Sequence, residues 1–467
     1  MPRQVMVALV ALVALVGVAR PLAQNGAVVR LAAPAGASVK SALLPLSAGE
    51  LLQVTVEAPG GAAPPNISVF VHDEDGELLD RDDPESVQTM YSWRAPGTGR
   101  YYVLARNSGA GAGTVIVTRR EPGSPGPPGP QTRGQTSNYA TVRVFFATDR
   151  SRVGSTPARF FGTEPAAAIT YGHSDVSVPR DHRLGELEGP SIFRLEFRSD
   201  PEKHVTVLRV EPSPRESFAS AVRTRVAAST RKEALLFVHG FNVSFEDAVR
   251  RAAQLAYDLA FDGPALVFSW PSQEGALVTD YRRDERNAEL SVDNLRRVMM
   301  DLLDAPDPPT LHVIAHSMGN RVLAGALQQI AASTPARKVR RVAMIAPDID
   351  AELFRRAAGR IAAATERLTL YASSADAALR LSQTFAGYPR AGQGGAGIVV
   401  VPGMDTIDAS SVDTSLTGLY HSYYADNSTV LSDLFAYFRG QNPDARFGLA
   451  PIKAQQGMYW LFRPAAR

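Results

Sequence analysis

The chain has 467 residues, with 49 Lys and Arg against 47 Asp and Glu, and no cysteine. That length suffices for two or three domains with a sizeable core. The missing cysteine excludes disulfides, thiolate metal sites, a cysteine nucleophile and a lipoprotein-type lipid anchor, while the near-balanced charge argues against a nucleic-acid or anionic-membrane footprint.

In chain order, residues 1–23 come first. Arg3, an apolar run from Val5 to Val18 and the ending Arg20-Pro-Leu-Ala23 have the charge, length and small final residue of a secretory signal peptide. The run is short for a membrane span, so cleavage after Ala23 is expected, with an uncleaved anchor as the alternative. Removing Arg3 and Arg20 would leave 47 basic against 47 acidic groups. A cysteine-free secreted chain fits a bacterial periplasm or exterior.

Residues 24–118 read as β. Leu52-Gln-Val-Thr-Val56, Ile67-Ser-Val-Phe-Val71, Tyr101-Tyr-Val-Leu104 and Val115-Ile-Val117 are strand-like, separated by turn signals at Ser47-Ala-Gly49, Asp73-Glu-Asp-Gly76 and Pro96-Gly-Thr-Gly99. Short strands without intervening helices predict a small antiparallel sandwich. Its acidic residues Asp73, Asp75, Asp80, Asp82 and Asp83 are of calcium-ligating type. Acidic hairpin turns are commoner, so no metal is assigned. Residues 119–138, rich in Pro and Gly, form a semi-rigid linker with too few Gly-x-y triplets for a collagen helix.

From residue 139 to 467 the pattern alternates between strand and helix. Strands are expected at Thr141–Ala147, Thr170–Pro179, Ile192–Phe197, Ala234–Val238, Ala265–Ser269, Leu311–Ala315, Val342–Ala346, Leu368–Ala372 and Ile398–Val401. Helices are expected from Ser244, which opens a capping box with Asp247, and from about Glu285 to Asp304. This alternation predicts an α/β domain: a mostly parallel sheet with helices on both faces.

The chemistry centres on Leu311-His-Val-Ile-Ala-His-Ser-Met-Gly-Asn-Arg321. A serine at a strand-to-helix turn, with small Ala315 and Gly319 two places either side, has the layout of a nucleophile elbow. Of eight histidines only His421 lies downstream, which makes it the candidate base in the order Ser, Asp, His. His316 and His312 read as structural. The acid is expected to be Asp376, after the strand ending at Ala372, with Asp348 and Asp350 as alternatives; Asp350 also suits a helix N-cap. Oxyanion donors are expected from the Met318 backbone and from Phe241 or Asn242, in the loop His239-Gly-Phe-Asn242. Trp270 and Tyr281 are tentative pocket residues, together with the segment 273–286, though Trp270 equally suits the core. No cofactor is implied.

Two resemblances follow from these residues. Leu46-Ser-Ala-Gly49, Val71-His-Asp-Glu-Asp-Gly76 and Ala95-Pro-Gly-Thr-Gly-Arg-Tyr-Tyr102 make the front segment resemble the bacterial pre-peptidase C-terminal domain, a β-sandwich appended to secreted hydrolases. Val144-Phe-Phe-Ala-Thr-Asp-Arg150, Phe237-Val-His-Gly-Phe-Asn242, Phe268-Ser-Trp-Pro271, Ala315-His-Ser-Met-Gly-Asn320, Ala346-Pro-Asp-Ile-Asp350 and Tyr420-His421 resemble a bacterial α/β-hydrolase family of unknown function within the esterase/lipase superfamily. The second resemblance implies a serine hydrolase fold without naming a substrate. The expected activity is that of a secreted or periplasmic carboxylic-ester hydrolase, on a small-molecule or lipid-like ester. Two alternatives stay open: a peptidase or amidase on the same triad, and a catalytically idle envelope-binding or scaffold protein. The sandwich is expected to meet an envelope or extracellular partner.

Overall fold

The computed structural model describes residues 28–120, 139–190, 199–273, 278–412 and 427–463, apart from short gaps at 35–36, 48–49, 58–66, 76–77, 82–89, 96, 108–111, 335, 337 and 447. Outside the described residues lie the signal-peptide stretch, most of the linker, the expected strand Ile192–Phe197, Asp82, Asp83 and His421.

Among the described residues the front segment holds strands and no helix. Its strands are β1 (Val28–Ala33), β2 (Ser38–Lys40), β3 (Leu44–Leu46), β4 (Leu51–Glu57), β5 (Ile67–Asp73), β6 (Leu78–Arg81), β7 (Met90–Arg94), β8 (Gly99–Asn107) and β9 (Gly113–Arg120). They form a four-stranded sheet in the order β1-β9-β4-β7 and a second sheet, β2-β8-β5-β6, with β3 also on β8. Alternate residues such as Leu52, Val54, Val69, Val71, Val103, Val115 and Val117 are buried in one core, as period-2 patterning requires. Among the described residues no group of three or more His, Asp or Glu side chains is arranged to hold a metal.

The second unit begins with two long strands, β10 (Tyr139–Arg152) and β11 (Phe161–Pro179), followed by β12 (Thr206–Ser213) and α1 (Arg215–Ala228). Strict alternation follows: β13 (Glu233–Val238), α2 (Phe245–Asp258), β14 (Ala265–Ser269), α3 (Val278–Leu290), α4 (Val292–Leu303), β15 (Thr310–His316), α5 (Gly319–Ser333), β16 (Val339–Ile345), α6 (Ala351–Ala363), β17 (Thr365–Ala372), α7 (Ala377–Ala386), β18 (Asp405–Asp408), α8 (Asn427–Phe438), β19 (Leu449–Ala454) and β20 (Gly457–Phe462). The sheet has 11 strands in the order β12-β11-β10-β14-β13-β15-β16-β17-β18-β20-β19. Between β10 and β20 every neighbouring pair is parallel, whereas the edge pairs β12–β11, β11–β10 and β19–β20 are antiparallel. The sheet is therefore mixed, a parallel block flanked by antiparallel edges. The central strands are apolar along their whole length because both faces are covered, by one cluster around Val313, Leu323 and Met344 and another around Ile314, Ala343 and Tyr371.

Two expectations are corrected. Ile398–Val401 is buried irregular chain, and the strand that continues the sheet is the shorter Asp405–Asp408; the apolar run reflects burial, which a packed loop satisfies as well as a ladder does. The helix expected over 285–304 is two helices interrupted at Ser291.

The turn after β11 is pinned to α2 by charge. His182 bonds Glu188 through Nδ1 at 2.7 Å and Asp258 through Nε2 at 2.9 Å. Burial alone would lower this imidazole, but Asp258 and Glu188 outweigh it and raise it to about 10. A group raised above its unfolded value of 6.5 contributes stability that is complete below that value and lost as pH rises through the folded one. The stability gap between the wild type and His182→Gln should therefore be widest near pH 5.5 and should close above about pH 10. Urea melts across that range test it; a constant gap would refute the charged-imidazole account.

Candidate functional site

Ser317 lies between the end of β15 and the start of α5, with φ at 48°. That left-handed conformation is costly for a residue with a Cβ, so the neighbourhood must impose it. The Ser317 amide donates to Ile345 O at 3.0 Å, and its carbonyl accepts from the Asp348 amide at 3.2 Å. The fully buried Asn320 side chain donates to Ala315 O, Ser317 O and Ile345 O at 3.3, 3.1 and 3.0 Å. A Cβ on Gly319 would stand 2.2 Å from His239 O, and one on Gly240 would stand 2.9 Å from the Ser317 Cβ. Only glycine admits these approaches, which set the loop after β13 against the serine. Met318 is the N-cap of α5, and the Asn320 and Arg321 amides of the first turn bond Ser317 O at 3.1 Å and Met318 O at 2.9 Å.

That loop, His239 to Val243, is strained and braced. Asn242 has φ at 56°, and its amide bonds the buried Asp284 carboxyl, which also accepts from Ser272 Oγ at 2.5 Å and the Gln273 amide at 2.8 Å. Burial nevertheless pushes Asp284 up to about 6. Of the two expected loop donors, Asn242 thus directs its amide to Asp284. The Phe241 ring packs 5.6 Å from that of Tyr281.

Arg150, at the end of β10, is wholly buried. Its guanidinium donates to Val243 O at 2.6 Å, Ser269 Oγ at 2.9 Å, Gly162 O at 3.0 Å and Ser272 O at 3.1 Å, and Nη2 lies 3.4 Å from His239 Nε2. Trp270 is also fully buried, stacks on the His239 ring at 5.2 Å and donates to His239 O at 2.8 Å. Its place is therefore behind the loop rather than on a pocket wall. Burial, with Arg150 beside it, holds the His239 imidazole well below its usual value. Burial, aided by Arg251, takes His316 down to about 4, so both rings are neutral.

The carboxylates separate by environment. Asp348 is 2 % exposed; Oδ1 accepts from Ser382 at 2.6 Å and pairs with Arg390 Nε at 3.0 Å, and Oδ2 accepts from Tyr281 at 2.8 Å. Asp350 caps α6 through the Glu352 and Leu353 amides. Asp376, half-buried directly after β17, caps α7 through the Leu379 amide at 2.9 Å. Tyr281 is 6 % exposed and bound into the Asp348 cluster. His421 lies outside the described residues. Arg150, Asn320, Asp284 and Arg390 were not singled out as site residues from sequence. Charged or amide side chains beside the turns that end buried strands were the available signal.

A serine in left-handed backbone at a β-to-α turn, with a His-Gly loop against it and a largely parallel sheet beneath, defines the α/β-hydrolase class. Residues 214–437 match the family model described as alpha/beta hydrolase of unknown function (DUF900), so this part of the chain is that of an α/β-hydrolase family of unknown function. No curated protein matches the sequence. Among solved structures, the chain is similar to the periplasmic g-type lysozyme inhibitor PliG of Aeromonas hydrophila, at 13% identity over 20% of this chain and 86% of that one, with a TM-score of 0.16. It is also similar to the Yersinia pseudotuberculosis-derived mitogen, at 9% identity over 21% and 86%, with a TM-score of 0.15. A further likeness is to a glycosylation associate protein complex from Streptococcus agalactiae, at 11% identity over 91% and 65%, with a TM-score of 0.20. Likenesses this weak carry no argument about this chain.

If the elbow stores backbone strain, Ser317→Gly should raise unfolding stability by about 1 kcal/mol, while Ser317→Ala, which keeps the Cβ, should not. Paired denaturant melts distinguish the two; equal stabilities would mean the strain is absent.

Proposed function

We propose that the chain is a secreted or periplasmic serine hydrolase acting on carboxylic esters through Ser317, His421 and Asp376. The observation that carries this reading is the left-handed Ser317 at the β15–α5 turn with Gly240 packed against it; a scaffold would have no use for a strained serine held there. In this reading Ser317 Oγ attacks the ester carbonyl as His421 takes its proton. The tetrahedral oxyanion is held by the Met318 and Phe241 amides. The intermediate then expels the alkoxide, which receives its proton from His421, and water hydrolyses the acyl-enzyme by the same route.

Asp376 is the preferred acid because it follows β17, the later of the two strands that carry candidate carboxylates, and stands before His421 in the order Ser, Asp, His. Asp348 is enclosed in a buried cluster with Arg390, Tyr281 and Ser382, while Asp350 and Asp376 both cap the helices that follow them. Secretion rests on the charge and apolar pattern of residues 1–23. An accessory role for the sandwich, of the pre-peptidase type, rests on its turn motifs.

A fluorophosphonate probe should label Ser317 in the wild type, and mass spectrometry should find no adduct in Ser317→Ala. No labelling of the folded wild type would overturn the reading. Among the acids, Asp376→Asn should lower ester turnover by about 10⁴-fold, as loss of a triad aspartate does, with stability nearly unchanged because Asn caps a helix as well as Asp does. Asp348→Ala should instead cost about 3–5 kcal/mol by stranding Arg390. The reverse pattern would reassign the acid.

A further inference from the structure

Arg150 has no place in the triad or among the oxyanion donors, yet it joins three separate parts of the chain around the serine. Its fork reaches the loop after β13 at Val243 O and His239 Nε2, the end of β14 at Ser269 and the loop after it at Ser272, and the start of β11 at Gly162 O. The strand end that carries it is anchored too: Thr148 Oγ1 donates to Ser269 O at 2.6 Å, and Asn294 donates to Asp149 at 3.0 Å.

The hydrogen bonds determine the state of His239. Gly240 O, 2.9 Å from Nδ1, can only accept, so Nδ1 carries the proton. Guanidinium can only donate, so Nε2 is the acceptor, facing Arg150 Nη2 at 3.4 Å and Ser269 Oγ at 3.2 Å. Ser269 in turn accepts from Arg150 Nε and donates its O–H to His239 Nε2. In this tautomer the ring ties down the carbonyl of Gly240, which shares one planar peptide with the Phe241 amide, while Trp270 closes the other face. Turning the Gly240–Phe241 peptide would break the Nδ1–H bond to Gly240 O and swing the Phe241 amide away from the serine.

We infer that Arg150 is a positioning residue of the oxyanion hole: through Ser269 and the His239 ring it holds the Gly240–Phe241 peptide so that the Phe241 amide faces the Ser317 side. The inference rests on the serine-hydrolase reading for its kinetic consequence but not for its structural one, so its test has two readouts.

The first is NMR of the protein labelled with ¹⁵N-histidine, with His239 assigned by loss of its signal in His239→Gln. The wild-type ring should be neutral and protonated at Nδ1. In Arg150→Lys, whose ammonium cannot span the fork, the ring should lose that single tautomer. The second readout is turnover of 4-nitrophenyl acetate. Arg150→Lys should lower kcat by about 100-fold, the effect of misplacing a reacting geometry by about 1 Å, with KM within about twofold, and added guanidinium should restore Arg150→Ala by at least tenfold. Wild-type kcat together with an unchanged His239 tautomer in folded Arg150→Lys would overturn the inference. If the Arg150 variants do not fold, Ser269→Ala carries the same test with one hydroxyl removed: a lowered kcat and a changed ring signal support it, and wild-type behaviour overturns it. If the wild type is inert to ester and fluorophosphonate, the hydrolase reading falls instead. The ring spectrum then decides the inference alone, an unchanged tautomer refuting it.

Discussion

The left-handed backbone at Ser317 is the constraint on which the rest of this unit depends. An L-residue with a side chain gives up about 1–2 kcal/mol to stand there, so the conformation persists only where several contacts over-determine it. Here they come from four directions: the end of β16 through Ile345 O, the following loop through the Asp348 amide, α5 through Asn320, and the loop after β13 through its approach to Gly319 and Gly240. Ala346, at φ 45°, and Asn242, at 56°, bear similar strain in the neighbouring turns. Three of the five non-glycine residues with positive φ among the described residues thus stand just after the carboxyl ends of central strands, where α/β sheets build their sites.

Around that point the protein buries charge rather than avoiding it. Arg150, Arg390, Asp348 and Asp284 are each almost wholly withdrawn from solvent, a situation that costs several kcal/mol per ion unless hydrogen bonds and opposite charges compensate. The compensation is directional. Arg390, Tyr281 and Ser382 divide the oxygens of Asp348 between them, and Asp284 gathers Ser272, Gln273 and Asn242. Apolar packing of the same volume would stabilise as well but would not choose one loop conformation. A turn held in one strained conformation gains from groups that accept only one geometry.

Much of the fold was legible because period and composition are local properties. The strand before Ser317, the capping box at Ser244 with its bond to Asp247 and the small residues flanking the serine followed from spacing alone, since each expresses a steric or hydrogen-bonding demand within a few residues. Ile398–Val401 misled because an apolar run reports burial and not pairing, and Asp405–Asp408 was missed because four residues with acidic ends carry almost no pattern. The helix break at Ser291 was likewise hidden inside a continuous apolar stripe.

Sequence by itself determined the strand-to-helix turn at Ser317, the His-Gly loop, the β/α alternation and the β character of the described front segment, because those depend on contacts between neighbours along the chain. Only the tertiary structure decided the roles of the charged groups. Asp348 and Asp376 read alike in sequence, yet one is enclosed by Arg390, Tyr281 and Ser382 while the other caps a helix at the sheet's edge. Apart from Gly162, the partners His239, Val243, Ser269 and Ser272 of the Arg150 guanidinium lie 89 to 122 positions away. Hydrogen bonds and desolvation act through distance in space, and that distance exists only once the sheet has closed the chain upon itself.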